Sequence, residues 1–307
     1  MVNRLIAAIV DVGSNTIRLT VYQYEGQDTQ VLFHRKTMAG LVHYIDKKRM
    51  SEAGIRVVCQ TLNDYMSMLK QLPVTPDSIH VFATAAIRNI ANTRQVVDAI
   101  RESAGIEVEV ISGDEEARLS YVGAMHSVEL EEGVLVDIGG GSSEIAVFQN
   151  KEICYSDSLP IGCLNAYEKC VEKIIPSEKE RQAIAELVQK QLQAMSIPEL
   201  GPLPICGVGG TIRASFKLKG VLGETDQANQ MSIEELQGMI RRFKNHKKKH
   251  IAPILVKTPD RIHTLIPGMI LLNEIARFFQ SEVVHISRFG VREGFLYDRL
   301  AKGSEEK

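Results

Sequence analysis

An internal repeat constrains the fold of this chain more than any other feature of its sequence. Residues 9–24 (IVDVGSNTIRLTVYQY) align without a gap with residues 135–150 (LVDIGGGSSEIAVFQN), 126 positions further along. Asp11 meets Asp137 in this alignment, and a glycine follows two positions later in each copy. Both copies read as a buried apolar strand, an acid, a glycine-rich turn and a strand of alternating polarity. The shared order indicates duplication of one structural unit.

The repeat predicts two related domains, which the length of 307 residues also favours. Strands that alternate with glycine-rich turns and helices predict an α/β fold with two twisted sheets covered by helices. The segment 129–133 interrupts this pattern, so we place the domain boundary there. One lobe is expected over residues 1–127 and the other over residues 128–307.

Composition excludes several classes of protein. Thirty-six basic against 38 acidic residues give a net charge of −2, which argues against a DNA-binding protein held by overall positive charge. Apolar runs such as residues 5–10 are far shorter than the roughly 20 residues of a membrane-spanning helix. The N-terminus has no signal-peptide pattern. Five cysteines without a Cys-x-x-Cys pair favour a reduced, cytoplasmic setting. We expect no DNA and no membrane partner.

The two glycine-rich turns are predicted to bind phosphate. Glycines let backbone N–H groups approach a ligand closely, and successive N–H groups form a concavity for anionic oxygens. One such turn is a weak signal, whereas two homologous turns, each preceded by Asp, form a stronger one. A phosphoryl group would rest between them. The donors are Gly13, Ser14 and Asn15 in the first turn and Gly139, Gly140, Gly141, Ser142 and Ser143 in the second.

Charged residues in the two copies extend this interpretation. Asp11 and Asp137 end apolar strands, where a carboxylate must be paired or must bind a cation. Asp11 would accept hydrogen bonds from its own turn. Asp137 is predicted to hold Mg²⁺ or Mn²⁺ together with Glu144, through carboxylate oxygens and retained waters. Arg18 aligns with Glu144, so a duplicated fold would set them opposite each other, with Arg18 as a phosphate ligand or as part of a solvent-facing pair.

Six motifs follow one another along nearly the whole chain: DVGSNTIRL (11–19), ATAAIRNIANT (83–93), VISGDEEARLSYVGA (110–124), VDIGGGSSEI (136–145), GVGGTIRA (207–214) and SRFGVREG (287–294). Together they resemble the Ppx/GppA phosphatase family of exopolyphosphatases and guanosine pentaphosphate phosphohydrolases. The resemblance implies two ribonuclease-H-like domains of the actin-like ATPase superfamily, with the active site in an interdomain cleft. The length resembles that of the short, two-domain members.

The resemblance also implies roles for single residues. Glu115 falls at the position of the family's general base, near the start of a helix that Ser112 or Asp114 would open, where the helix dipole favours its ionised form. Glu116 lies about 100° further round the helix, so both acids can hardly face one water; alternatively, both only stabilise the first turn. Arg88 matches a family arginine that contacts phosphate, or is a surface residue at a helix start. A turn that would meet a nucleotide or a polyphosphate comprises Gly209, Gly210 and Thr211.

Several segments depart from the family pattern or add to it. The late motif has Arg288 where the family commonly has Asp, and residues 163–165 are Cys, Leu and Asn where members often have small residues and an Arg. Arg292 and Glu293 are expected to be structural. Residues 241–250 hold six Lys or Arg and two His, which would form either a path for a polyanion or a solvated helix end.

These observations predict an exopolyphosphatase, a metal-dependent hydrolase that removes the terminal phosphate of inorganic polyphosphate. Hydrolysis of pppGpp or of a nucleoside triphosphate at the same site is the close alternative. A sugar-type kinase, a chaperone-like ATPase and a (p)ppGpp-binding regulator with little catalysis are more distant alternatives. The expected ligand is inorganic polyphosphate or a phosphorylated guanosine nucleotide, bound by one chain or by a homodimer.

Overall fold

Two compact units make up the described part of the chain. The computed structural model describes residues 4–198, 200–221, 229–243 and 248–301. The first unit runs to Leu119 and resumes at Arg292, and the second comprises Ser120–Val291. Each unit is built on one large mixed β-sheet.

The first unit combines a five-stranded sheet with a short two-stranded one. Its strands are β1 (Leu5–Val12), β2 (Ile17–Glu25), β3 (Asp28–Thr37), β4 (Ile45–Asp46), β5 (Arg49–Met50), β6 (Ile79–Ala83) and β7 (Glu109–Val110). Its helices are α1 (Glu52–Leu69), α2 (Ala85–Arg88), α3 (Thr93–Ala104) and the first half of α4 (Gly113–Met125), with 3-10 turns at Leu41–Tyr44 and Pro76–Ser78. The large sheet has the order β3-β2-β1-β6-β7.

The second unit contains a six-stranded sheet. Its strands are β8 (Gly133–Ile138), β9 (Ser143–Gln149), β10 (Glu152–Leu159), β11 (Ile205–Val208), β12 (Gln230–Ser232) and β13 (Val283–Ile286). Its helices are α5 (Cys163–Cys170), α6 (Glu178–Gln193), α7 (Gly209–Val221), α8 (Ile233–Arg242), α9 (Lys248–Lys257) and α10 (Leu265–Phe278), with a 3-10 turn at Pro259–Arg261. The described chain ends with α11 (Val291–Phe295) and a π-helix (Leu296–Ala301).

The two large sheets share one arrangement. The order β10-β9-β8-β11-β13 in the second repeats the order β3-β2-β1-β6-β7 in the first, and β12 adds an antiparallel edge strand. In each sheet the first repeat strand pairs antiparallel with the next strand and parallel with a later one. This strand order is that of ribonuclease-H-like domains. The predicted α/β fold class is confirmed.

Apolar strands and helices fill the core of each unit. Residues 7–10 of β1 are at most 1% exposed, because a strand at the centre of a sheet with helices on its faces is buried on both sides. In the second unit the apolar α10 is buried along most of its length. These cores hold the strand ends, and with them the glycine-rich turns, in place.

The C-terminal segment packs on the first sheet. The Tyr22 hydroxyl on β2 donates to Glu293 Oε1 at 2.5 Å, and Arg292 Nη1 donates to Thr20 Oγ1 at 2.7 Å. Both late-motif residues therefore bind side chains of one strand, as the structural role expected for them requires.

The division of the chain differs from the one expected from the sequence. We expected lobes over residues 1–127 and 128–307, whereas the structure divides the chain within α4, after Leu119, and returns the chain from Arg292 onward to the first unit. A local break in the hydrophobic pattern does not reveal such a return, because the contact between Glu293 and β2 spans 271 positions.

Tyr22→Phe is expected to lower the free energy of unfolding by about 1–3 kcal/mol, because it leaves the buried Glu293 carboxylate without its phenol donor. Burial, and then the charge of Glu293, raises the pKa of Tyr22, so the phenol stays protonated and keeps donating at neutral pH. Urea denaturation measures the change. Tyr24→Phe on the same strand is the control, with a smaller expected loss. Equal losses in both variants would contradict the assigned role.

The expectations about membrane-spanning helices and about the basic segment 241–250 can be compared with only part of the chain. Among the residues that the structure describes, no helix is both long enough and apolar enough to cross a membrane. Of the basic segment 241–250, Arg241 and Arg242 lie in the last turn of α8, where cations complement the helix dipole. Residues 244–247 lie outside the described residues, and the role of the segment stays a prediction.

Candidate active site

The first glycine-rich turn joins β1 to β2. It closes with a hydrogen bond from Gly13 N to the carbonyl oxygen three residues later, at 3.1 Å. The carbonyl oxygens of Ser14 and Asn15 accept hydrogen bonds from the N–H groups of Val42, at 3.1 Å, and Gly40, at 3.0 Å. The segment that follows β3 therefore holds the outer carbonyl groups of this turn.

The second glycine-rich turn joins β8 to β9 and is built in the same way. Gly139 N donates to the carbonyl oxygen three residues later, at 3.0 Å. The carbonyl oxygens of Gly139 and Gly140 accept hydrogen bonds from the first two N–H groups of α5, both at 2.9 Å. Asn165 Nδ2 donates to Gly141 O at 2.6 Å. The repeat found in the sequence thus extends to the hydrogen bonds that shape each turn.

The held carbonyl groups orient the amides of the second turn. In a planar trans peptide, a C=O group and the N–H group of the next residue point in opposite directions. Because the carbonyl groups of Gly139, Gly140 and Gly141 face α5, the N–H groups of Gly140, Gly141 and Ser142 face away from it. Consecutive N–H groups on one side form an anion-binding concavity. The Ser143 hydroxyl instead donates to Ile161 O at 2.8 Å and is structural.

Two carboxylates lie side by side next to this turn. Asp137 on β8 and Glu144 on β9 are direct register partners, so their side chains share one face of the sheet. Glu144 is only 1% exposed. Like charges at directly opposed positions destabilise a sheet, so this pair calls for donors or a cation. In the first unit the equivalent positions hold a pair of opposite charge, Asp11 and Arg18.

Serine hydroxyls orient both carboxylates. Ser142 Oγ donates to Glu144 Oε1 at 2.7 Å, and Ser158 Oγ donates to the same oxygen at 3.0 Å. Ser120 Oγ donates to Asp137 Oδ2 at 3.1 Å. In metal sites, hydrogen-bond partners of the ligands orient the ligands in this way.

The donor set fits a hard divalent cation. Mg²⁺ keeps several waters and is held by one or two carboxylates together with substrate phosphates. Within the described residues, no group of three or more His, Cys, Asp or Glu side chains could hold a metal ion. Asp137 and Glu144 therefore suit a hydrated Mg²⁺ or Mn²⁺ that a phosphate helps to bind, rather than a closed structural metal site.

Glu115 is held by two arginines. Its Oε2 accepts from Arg118 Nε at 2.8 Å, and its Oε1 accepts from Arg299 Nη2 at 2.6 Å. These hydrogen bonds, Arg118 foremost, lower the pKa of Glu115 below its ordinary value. Glu115 is therefore ionised at neutral pH, with a guanidinium group on each of its oxygens.

Glu116 lies on another face of α4 and meets Arg88. Its Oε2 accepts from Arg88 Nη1 at 2.7 Å, and the Glu116 side chain is 11% exposed. Arg88 Nη1 also donates to Ile111 O at 3.2 Å, which fixes the guanidinium at the end of α2. The structure thus brings the predicted phosphate ligand Arg88 to Glu116, not to Glu115.

Residues 209–211, which the sequence predicts as a glycine-rich turn, form the first turn of α7 and support the other site residues. Gly209 has φ +92°, and a Cβ there would collide with Asp137 Oδ1, so only glycine lets the backbone lie against this carboxylate. Thr211 is buried, and its Oγ1 donates to Cys163 Sγ at 3.5 Å and accepts from Arg261 Nη1 at 3.3 Å. Contact of this turn with a nucleotide or polyphosphate stays a prediction.

The residues that depart from the family pattern have local partners. Asn165 Oδ1 accepts from Gly162 N at 2.8 Å, in addition to the bond that Asn165 donates to the glycine turn. The carbonyl oxygen of Arg288 accepts from Arg213 Nη1 at 3.4 Å. Ser287 Oγ accepts from the N–H group two residues later at 3.1 Å, which closes the turn that contains Arg288.

Sequence reasoning missed two of the three serines that hold the carboxylates, Ser120 and Ser158. Ser120 lies four residues after Glu116 and so shares its face of α4, which is a weak signal. Ser158 has no local signal, because its contact with Glu144 depends on the pairing of β9 with β10.

Comparisons with known proteins point to one family. A family model described as the Ppx/GppA phosphatase family matches residues 20–303. A curated relative, the guanosine-5'-triphosphate,3'-diphosphate pyrophosphatase of Photobacterium profundum, is 22% identical over 299 residues, which are 96% of this chain and 59% of the relative. The chain therefore spans less than two thirds of the length of that relative.

Solved structures agree in fold. The Aquifex aeolicus PPX-GPPA enzyme is 25% identical with a TM-score of 0.76, over 96% of this chain and 100% of that one. An exopolyphosphatase from Cytophaga hutchinsonii is 20% identical with a TM-score of 0.82, over 97% of this chain and 98% of that one. The second likeness supports the fold alone.

Proposed function

This chain belongs to the Ppx/GppA phosphatase family, and from that membership we propose that it hydrolyses the terminal phosphoanhydride bond of inorganic polyphosphate and releases orthophosphate. One observation carries the proposal: the carboxylate pair of Asp137 and the buried Glu144 lies beside a turn with outward-facing amides. Such a combination suits a phosphoryl group together with the cation that neutralises it.

Backbone amides and arginines bind the phosphoryl oxygens in this proposal. The second turn would contribute the N–H groups of Gly140, Gly141 and Ser142, and a contribution from Asn15 and its neighbours in the first unit stays a prediction from the repeat. Arg88 contributes a guanidinium whose position Glu116 and the Ile111 carbonyl already fix. Donors that are positioned beforehand stabilise developing charge without reorganising, which accounts for much of the catalysis of phosphoryl transfer.

Asp137 and Glu144 would hold Mg²⁺ or Mn²⁺. Serine hydroxyls donate to both carboxylates and so fix their orientation. Bound there, the cation would supply neutralisation of the charge on the phosphoryl oxygens. The chain itself orients the two carboxylates and excludes bulk water from Glu144.

A carboxylate at the start of α4 takes the proton of the attacking water. The water oxygen bonds to the terminal phosphorus, the bond to the bridging oxygen breaks, and the shortened polyphosphate leaves with its electron pair. Glu115 stays a candidate from the sequence. The contact with Arg88 favours Glu116 as the general base, because Arg88 would bind the phosphoryl group that the water attacks. Both oxygens of Glu115 accept hydrogen bonds from other arginines.

The substrate is the part of this proposal that rests least on the residues of the site. The curated relative is named for guanosine pentaphosphate, and a structural neighbour is named an exopolyphosphatase. We propose polyphosphate, because amides, arginines and a cation recognise phosphate without reference to a base. We place the reaction in the cytoplasm, where the five free thiols would persist; a homodimer stays a prediction.

Phosphate release from long-chain polyphosphate and from pppGpp, measured side by side with Mg²⁺, tests this function. We expect a higher kcat/KM for polyphosphate and loss of both activities on chelation of the metal. A higher kcat/KM for pppGpp would instead indicate a guanosine pentaphosphate phosphohydrolase. Tight (p)ppGpp binding without release of phosphate from either compound would contradict hydrolysis and favour a regulator.

A further inference from the structure

The Asn165 side chain joins two backbone segments. Its Oδ1 accepts from Gly162 N at 2.8 Å, and its Nδ2 donates to Gly141 O at 2.6 Å. The first bond caps the start of α5, because the side chain of the third helical residue accepts from the N–H group of the N-cap residue. The second has no place in helix capping, because it reaches the glycine-rich turn 24 positions earlier.

The duplicated turn in the first unit shows what this second bond replaces. Gly141 is equivalent in the repeat to Asn15, whose carbonyl oxygen accepts from the N–H group of Gly40 at 3.0 Å. In the second unit a side-chain amide donates the hydrogen bond that a backbone N–H group donates in the first. The same carbonyl group is thus held in both copies by different chemistry, which points to a requirement of the turn itself.

The held carbonyl group belongs to the peptide that carries the Ser142 amide. With Gly141 O directed at Asn165, the Ser142 N–H group is directed the opposite way, toward the face of the turn that would meet phosphate. The same serine donates its hydroxyl to Glu144 at 2.7 Å and its carbonyl oxygen accepts from Gly139 N at 3.0 Å. One peptide therefore connects the amides of the turn to the carboxylate pair.

Close packing leaves this peptide few alternatives. A Cβ at Gly162 would meet the Gly139 and Gly140 backbone at 2.6 Å, so α5 approaches the turn as nearly as a glycine permits. Asn165 N also donates to Gly140 O at 3.1 Å. The backbone N–H groups at the start of α5 hold the carbonyl oxygens of Gly139 and Gly140, and the Asn165 side chain supplies the donor to Gly141 O.

We propose that Asn165 is a positioning residue for the phosphate-binding turn: through Gly141 O it sets the direction of the Ser142 amide and the reach of the Ser142 hydroxyl to Glu144. The inference rests on the proposed function, since it concerns binding of phosphate by that site. Asn165 itself need not touch the substrate.

Two variants separate this role from helix capping and from charge. Asn165→Asp keeps an acceptor for Gly162 N but has no donor for Gly141 O. Asn165→Ala removes both bonds and adds no charge. We expect both variants to raise KM and the inhibition constant of inorganic phosphate by about 3- to 10-fold, the value of one hydrogen bond, with a smaller change in kcat.

Glu180→Ala is the matched control. Glu180 occupies the third position of α6 and accepts from Ser177 N at 2.6 Å, the same cap contact that Asn165 makes with Gly162 N. Its other oxygen accepts from Glu172 N at 2.8 Å, which lies outside both glycine-rich turns. We expect it to lose thermal stability, as Asn165→Ala does, and to keep wild-type KM and phosphate inhibition.

Hydrogen exchange of the Gly139 amide adds a readout that does not depend on turnover. This amide is bonded to Ser142 O, so a loosened turn exchanges it faster. We expect the Gly139 amide to exchange faster in both Asn165 variants and at the wild-type rate in Glu180→Ala. Unchanged exchange and unchanged KM in Asn165→Ala would overturn the inference, as would an effect confined to Asn165→Asp, which would trace to the added charge. Absence of turnover in the wild-type chain would contradict the proposed function instead, and the exchange rates would still decide the role of Asn165.

Discussion

Glu116→Gln is expected to lower kcat for phosphate release by about 10²–10⁴-fold, the contribution typical of a general base, and to leave KM little changed. Gln has the shape of Glu and still accepts a hydrogen bond from Arg88, so the phosphate ligand keeps its place. It cannot take a proton from water. Steady-state kinetics with polyphosphate, together with thermal unfolding of the variant, measures the effect on catalysis apart from stability.

Glu115→Gln is the matched control, one residue away on the same helix. We expect it to keep most of the kcat and to lose thermal stability, because Glu115 is paired with Arg118 and Arg299. The opposite pattern, with Glu115→Gln inactive and Glu116→Gln near wild type, would return the base to the position that the sequence motif indicates.

Asp137→Asn is expected to raise the Mg²⁺ concentration for half-maximal activity by more than about 100-fold, since loss of an outer-shell partner alone costs about 10–100-fold. It should also lower kcat/KM by about 10²–10³, which corresponds to several kcal/mol of charge stabilisation. The neutral amide keeps the size of Asp137 and the contact with Gly209, so the turn retains its shape. Metal titrations of phosphate release measure both effects.

Two further variants make this result specific. Ser120→Ala removes the hydroxyl that donates to Asp137 at 3.1 Å and should shift the metal titration by about 10-fold, in the same direction. Glu131→Gln removes one negative charge from the same unit at a side chain that is 73% exposed and paired with Lys151, and should leave the titration unchanged. A wild-type Mg²⁺ requirement in Asp137→Asn would refute the assignment of this carboxylate.

Features that depend on short stretches of chain were predicted correctly. The alternation of apolar residues defines the strands of the repeat, and glycines mark the reversals between them. The alignment of the two copies anticipated equivalent turns, and both close with the same hydrogen bond from Gly13 or Gly139. Ser112, one of the two residues expected to open α4, caps it by accepting from Glu115 N at 3.1 Å. Side-chain size, polarity and backbone freedom within a few residues suffice for all of these.

Features that join distant segments required the folded molecule. Adjacent acids in one motif acquire different partners, because 100° of helical rotation turns one toward Arg88 and the other toward Arg299, 184 positions away. Asn165 reads as an ordinary helix residue until α5 packs on the glycine turn. Tyr22 and Glu293 meet only once the chain returns to the first sheet. A linear pattern encodes local dihedral preference and which face is apolar, whereas the choice of contact across the chain follows from how all the elements pack together, and that choice sets the chemistry of the candidate site.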